Sequence, residues 1–232
     1  MQPPHHQGVD LHSVACPSGL GLPVSLEFPQ GFLHLLLASD PTEISPLLRT
    51  LSLLDLPESG EIEVLGSPTA HLDDDARAAF RSENFGFLFT SPFLLHSLSV
   101  LENVAMPLLK ISQSKTDDAR IRTNQLLEFT QTAHLAFSPV DLLTRDQQFR
   151  VALARALVNH PPFLIVENLD ASLPPPLLDE FSKLIRSIPL HFKTTVIASA
   201  SLSFPTEKSD RLVILHRGVV THNSTPIQGP DA

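Results

Sequence analysis

Cysteine is nearly absent from these 232 residues: Cys16 stands alone. An intrachain disulfide is therefore excluded, and the simpler expectation is a reducing compartment with Cys16 acting as a small buried apolar residue. Positive charge is scarce as well, with 16 Lys and Arg against 25 Asp and Glu and a formal net charge of −9. Phosphate backbones and anionic membrane surfaces are held chiefly by Lys and Arg, so a general nucleic-acid or membrane-surface binder is excluded, although a local basic patch is not. No run reaches the roughly 18 uninterrupted apolar residues of a membrane span. Met1 to Gly8, with Pro3, Pro4, His5 and His6, lacks the basic start and apolar stretch of a secretory signal. The chain is expected to be soluble and cytoplasmic, without direct membrane insertion. Three further absences matter below: no glycine between Gly31 and Gly60, no lysine before Lys110, and no tyrosine anywhere.

What is present reads as a globular protein. Hydrophobic residues make up 42% and charged residues 18%, with a mean hydropathy of +0.10, against disorder and for a substantial core. Phe32 to Leu37 is a short apolar run of the buried-strand kind, followed by a turn and a helical pattern through Leu47, Leu48, Leu51 and Leu54. Glu61 to Leu65 alternates as an edge or half-exposed strand, an acidic helix follows around Leu72 to Phe80, and Phe85 to Phe89 is again apolar. Ser91 to Leu109 reads as loop and short helix, and Thr116 to Thr132 and Asp146 to Asn159 as amphipathic helices. Phe163 to Val166, Thr194 to Ser199 and Leu212 to Leu215 are further strands, with the helix Leu177 to Ile188 between the first two and a hairpin turning at Arg217-Gly218. Strands alternating with helices predict an α/β core with a largely parallel sheet. The expected organisation is a tail over 1–10, one domain over 11–222 with a helical lobe at about 91–160, and a tail over 223–232.

Several segments carry a resemblance. Leu22 to Leu37, Pro57-Glu58-Ser59-Gly60-Glu61-Ile62, Phe85-Gly86-Phe87-Leu88-Phe89, Leu101-Glu102-Asn103-Val104, Gln148 to Leu157 and Ser209 to Leu215 keep one order and spacing over Leu22 to Val220. Together they resemble the nucleotide-binding subunits of ABC transporters, above all the lipoprotein-release and macrolide-export branch. The resemblance implies a P-loop NTPase (RecA-like) core with an inserted helical lobe and an N-terminal β subdomain. It also implies ATP and magnesium as the family's cofactors, and an ABC permease and a second ABC ATPase subunit as partners. A location at the inner membrane would come through that permease.

The residues in the family's motif slots depart from that pattern. A phosphate loop converges backbone N–H groups on phosphates through glycines, with a Lys on the terminal phosphates and a Ser or Thr on Mg²⁺. Here the slot runs from Ala38 to Pro46 without glycine: Asp40 and Glu43 bring negative charge, Pro41 and Pro46 lack N–H donors, and Ile44 stands at the Lys position. Ser45 matches the metal-binding hydroxyl or is simply a helix N-terminal serine. Thr90 fills the Q-loop slot, too short to do the work of Gln. The signature slot, Leu-Ser-Gly-Gly-Gln in the family, reads Leu143-Thr144-Arg145-Asp146-Gln147, with bulk and charge in place of its glycines. Glu167 stands at the Walker B Asp, and Asn168, no general base, at the catalytic Glu. Pro174 replaces the D-loop Asp and Ser201 the switch His, and the adenine-stacking Tyr is missing. The histidines show no HExxH or paired ligand spacing, so no metal site is expected there.

Three functions remain open at this point. One is a binding module, in which Phe93, Leu94, Leu95 and Leu98 anchor a permease helix, although the same four can equally pack the lobe. Another is a weak or partner-assisted ATPase in a heterodimer. The third is a product with no retained role.

Overall fold

The computed structural model describes residues 7–17, 22–109, 116–171, 173–217 and 219–224. In chain order its first half is β1 (Gly8–Ala15), β2 (Val24–Pro29), β3 (Leu33–Ala38), α1 (Ser45–Leu51), β4 (Ser59–Val64), β5 (Ser67–Pro68), α2 (Asp74–Asn84) and β6 (Phe85–Leu88). The second half is α3 (Val100–Pro107), α4 (Thr116–Phe129), α5 (Arg145–Leu157), β7 (Phe163–Val166), α6 (Pro175–Phe192), β8 (Thr195–Ser201), β9 (Arg211–His216) and β10 (Val219–Asn223). The main sheet has the order β10-β9-β3-β8-β7-β6, parallel throughout except for β9 with β10. Covered on both faces, β3 and β7 are buried along their whole length, and so they read as continuous apolar runs rather than alternating ones.

A second, antiparallel sheet has the order β2-β1-β4-β5. Its first strand corrects the expected tail over 1–10, because Gly8 to Asp10 already pair with both β2 and β4. Val9, Leu11 and Val14 point into the core, but Asp10, His12 and Ser13 between them hide the alternation in a short polar-looking segment. β4 lies between β1 and the two-residue β5, so it is half-exposed but not an edge. Gly60 within it has φ +88° and its absent Cβ would lie 2.3 Å from the carbonyl oxygen of Ser13, so the bulge in β1 demands glycine opposite it. At the far end Asn223 completes β10 and the Ser224 hydroxyl accepts from the Leu212 N–H at 2.8 Å, past the expected boundary at 222. Residues 1–6 and 225–232 and the expected turn residue Gly218 lie outside the described residues.

The apolar side chains form two clusters. One joins α3, α4, α5 and α6 to a face of the main sheet, and the other joins the antiparallel sheet and α1 to the opposite face. α1 stops at Leu51, short of the expected Leu54, because Leu53 takes φ 61°. α5 rides directly on β6: a Cβ on Gly86 would meet the Ala156 carbonyl oxygen at 2.2 Å. That close approach fixes the C-terminal end of α5 against the sheet.

Candidate functional site

The turn after β3 sits at the C-terminal end of parallel strands, where α/β proteins of this layout place ligands. Its backbone is closed on itself. Pro41–Glu43 forms a single 3-10 turn, in which the Thr42 N–H and hydroxyl both donate to Asp40 Oδ1, at 2.9 and 2.7 Å. These two bonds, the hydroxyl's first, hold the Asp40 carboxyl below its ordinary range. The Glu43 N–H donates to the Asp40 carbonyl at 3.0 Å. Among the described residues, none between Ala38 and Pro46 takes a positive φ.

Ile44 follows as the residue capping α1, and its side chain is 0% exposed within the apolar cluster that joins the antiparallel sheet and α1 to the main sheet. Its direction is set by Leu36, Leu47, Leu48 and Leu51 in the same cluster. Pro46 falls in the first turn of α1, where a missing N–H costs nothing. Ser45 opens the helix yet caps nothing; its hydroxyl donates to Glu167 Oε1 at 2.7 Å. A plain helix N-terminal role for Ser45 is thereby replaced by a link between the turn and β7. Glu43 adds a buried carboxylate oxygen, Oε2, without a hydrogen-bond partner.

Beyond β7 the chain turns sharply. Asn168 adopts φ 49°, a left-handed conformation that Asn tolerates better than most residues. Its N–H donates to the Ser199 hydroxyl at 2.9 Å and its Nδ2 reaches Thr90 Oγ1 at 3.5 Å. The Thr90 carbonyl accepts from Arg145 Nη2 at 3.3 Å. The Q-loop slot thus meets both the Walker B slot and this chain's own signature slot. Ser201 is tied by its N–H and its hydroxyl to Asp170, with Ser203 Oγ 2.7 Å away. Among the described residues no three His, Cys, Asp or Glu gather as a metal site.

The signature slot works as a helix start. Thr144 caps α5 in a reciprocal box with Gln147, and Asp146 pairs with Arg150 at 2.9 Å. Arg145 lays its guanidinium 5.1 Å over the Phe149 ring.

The four apolar residues proposed as anchors divide. Phe93 is 65% and Leu95 43% exposed, whereas Leu94 is buried at 9% in the lobe's core and so packs rather than presents. Leu98 is half-buried and lines a separate cleft of about 420 Å³ with Leu101, Ala105, Met106, Leu109 and Ala119. The exposed loop is firmly held. Arg155 donates to the carbonyls of Pro92 and Phe93, both at 2.7 Å, which stabilises Phe93 at φ 45°. Asn103, fully buried, accepts from the Leu95 N–H at 2.7 Å and donates to the carbonyls of Leu95, Leu98 and Ser99. Sequence reasoning placed Asn103 and Arg155 only inside segments of the resemblance and gave neither a role; the available signal was a single amide in α3 and a guanidinium among the apolar residues that end α5.

A family model described as ABC transporter matches residues 23–169. With the sheet, the inserted helices and the slots in place, the chain belongs to the ABC transporter family as an ATP-binding-subunit homologue. Within it, the chain falls in the lipoprotein-release and macrolide-export branch. It is 35% identical over 176 residues to the macrolide export ATP-binding/permease protein MacB of Rhodopseudomonas palustris, covering 76% of this chain but 27% of that one. It is 29% identical over 198 residues to the lipoprotein-releasing system ATP-binding protein LolD of Neorickettsia sennetsu, covering 86% of that protein. Against LolD of Bordetella pertussis identity is 34%, covering 65% of this chain and 64% of the relative. Among solved structures, the dimeric ATP-binding cassette MJ0796 bound to ADP and phosphate superposes with a TM-score of 0.82 at 24% identity, over 95% of this chain and 99% of that one. CbiO1 of Clostridium perfringens gives 0.86 at 21% identity, over 94% and 88%. At such identities these two likenesses speak of the fold.

Proposed function

We propose that this ABC-family chain acts by docking to partner subunits and does not bind or turn over ATP. The observation that carries the reading is Ile44, fully buried in the position of the family's phosphate-binding Lys. ATP and magnesium do not fit the residues present: the Thr42 N–H already holds the Asp40 carboxylate, and a second carboxylate, Glu43, stands beside it. Asn168, at the position of the catalytic Glu, carries an amide that cannot accept a proton as a general base; its N–H donates to Ser199 and its Nδ2 reaches Thr90. The docking face, by contrast, is well built: Phe93 and Leu95 lie exposed on a loop held by Arg155 and Asn103. The partner at that face is an ABC permease, which would hold the chain on the cytoplasmic side of the inner membrane, and an ATPase subunit is the second partner. No helix among the described residues is long and apolar enough to cross a membrane.

A second reading is a weak or partner-assisted ATPase, favoured by one contact. The Ser45–Glu167 hydrogen bond keeps together the two oxygen-bearing positions on which a hard cation would rest. Titration calorimetry with Mg-ATP separates the readings. The docking reading expects no binding tighter than about 1 mM, an affinity of roughly −4 kcal/mol. A tighter constant overturns it in favour of the second.

A further inference from the structure

We propose that Arg145 is a charge selector, choosing a docking segment that carries an Asp or Glu beside apolar residues. The inference rests on the docking reading above and names the chemistry of the partner. Between the loop bearing Phe93 and the start of α5 lies an open cleft of about 380 Å³, into which Ser91, Phe93, Leu95, His96, Arg145 and Gln148 project. Its apolar half is Phe93 and Leu95, both exposed. The cationic part is Arg145.

Its neighbours are already matched. Arg150 pairs with Asp146, His96 is paired with Asp141 on the rim, and Arg155 is committed to the carbonyls of Pro92 and Phe93. Arg145 has no carboxylate within ion-pair distance among the described residues. It donates one N–H to the Thr90 carbonyl and keeps the remaining donors for the cleft. Held 5.1 Å over the Phe149 ring and bonded to the Thr90 carbonyl, the guanidinium is partly ordered in advance, so pairing with a carboxylate costs it less freedom. The chain as a whole carries −9, so an acidic segment is repelled over most of the surface and welcomed at this spot. That contrast sets register rather than bulk affinity. The glycine of the family pattern at this position has no side chain to reach the cleft, so the selector belongs to this chain.

The test is a displayed library of random peptides of about 16 residues, long enough for an amphipathic segment. It is panned against the full chain, an Arg145→Glu variant and a Phe93→Ala/Leu95→Ala variant. Arg145 is the first residue of α5, where Glu favours the helix dipole, so its variant keeps the fold. Peptides enriched on the parent are expected to carry an acid next to apolar residues and to lose about tenfold in affinity when the acid becomes Gln or Arg145 becomes Glu. Their Lys-substituted versions should recover on Arg145→Glu. Peptides that depend on Phe93 and Leu95 but show no charge preference would overturn the selector while leaving docking intact. Absence of any peptide sensitive to Phe93 and Leu95 would overturn the docking reading and the selector with it.

Discussion

On the docking reading, replacing Ile44 by Lys puts the family pattern's residue at that position, and the burial of Ile44 leads us to expect damage to the fold without gain of a site. The Ile44 side chain is fully buried among leucines of the cluster that joins α1 and the antiparallel sheet to the main sheet. Truncation alone, Ile44→Ala, forfeits the transfer free energy and leaves a void, together about 2–5 kcal/mol. Lys must do one of two things. Kept inside, it has to shed its proton, and lowering an ammonium pKa from about 10.4 to 7 costs roughly 5 kcal/mol. Turned outward through the Pro41–Glu43 turn, it empties the pocket and disrupts the Asp40–Thr42 bonds, at about the cost of the Ala variant. Either way Ile44→Lys loses about 2–5 kcal/mol, a large share of a typical domain's 5–15. Urea unfolding measures the loss, and a phosphate-release assay on the same preparation is expected to stay at background, because Asp40, Pro41 and Asn168 are unchanged. A variant as stable as the parent, or one with measurable turnover, would refute the placement of Ile44 in the core.

Two other outcomes follow from buried polar groups. His34 sits at 0% exposure between Phe28 and Phe32, its Nε2 donating to the Pro29 carbonyl at 2.8 Å; burial, chiefly, lowers its pKa from 6.5 to about 4, with Arg211 adding to the effect. The folded chain refuses a proton that the unfolded chain accepts, so stability is full above pH 6.5 and falls by about 3 kcal/mol as pH drops to about 4. Urea-unfolding free energies across that range should be flatter by this amount in His34→Gln, and an identical slope would contradict the assignment. Asn103→Ala removes four hydrogen bonds that hold the loop at Leu95 to Ser99. It should cost about 2–3 kcal/mol and speed hydrogen exchange at the Leu95 amide; unchanged protection there would show that the loop is held by other means.

The regular elements were legible where burial dictates composition. β7 was read residue for residue, because a strand covered on both faces has to be apolar throughout; α5, expected over Asp146 to Asn159 and observed over Arg145–Leu157, was read to within two residues at either end because its apolar face repeats at three and four. β1 was missed because Asp10 and His12 interrupt its pattern and its partners lie 10 or more residues away in β2 and β4. A strand that depends on non-local pairing leaves little local trace. In the candidate site, Ile44, Asp40 and Asn168 stand out in the sequence as departures from the pattern that the resemblance implies. Their connections do not. That Ser45 meets Glu167 across 122 residues, or that Arg145 reaches Thr90 across 55, is a product of the fold. The division of Phe93 and Leu95 from Leu94 likewise depends on the backbone turn at Phe93, which no periodicity encodes.

Thermal unfolding with and without Mg-ATP tests the central claim most directly. A ligand present at 100 times its dissociation constant raises stability by about 2.7 kcal/mol, and for a chain of this size that moves Tm by roughly 5–10 °C. The account predicts one cooperative transition whose midpoint is the same with and without millimolar Mg-ATP, since the two apolar cores support the fold and the turn at Asp40 leaves the nucleotide no purchase. An upward shift of several degrees with nucleotide would contradict it.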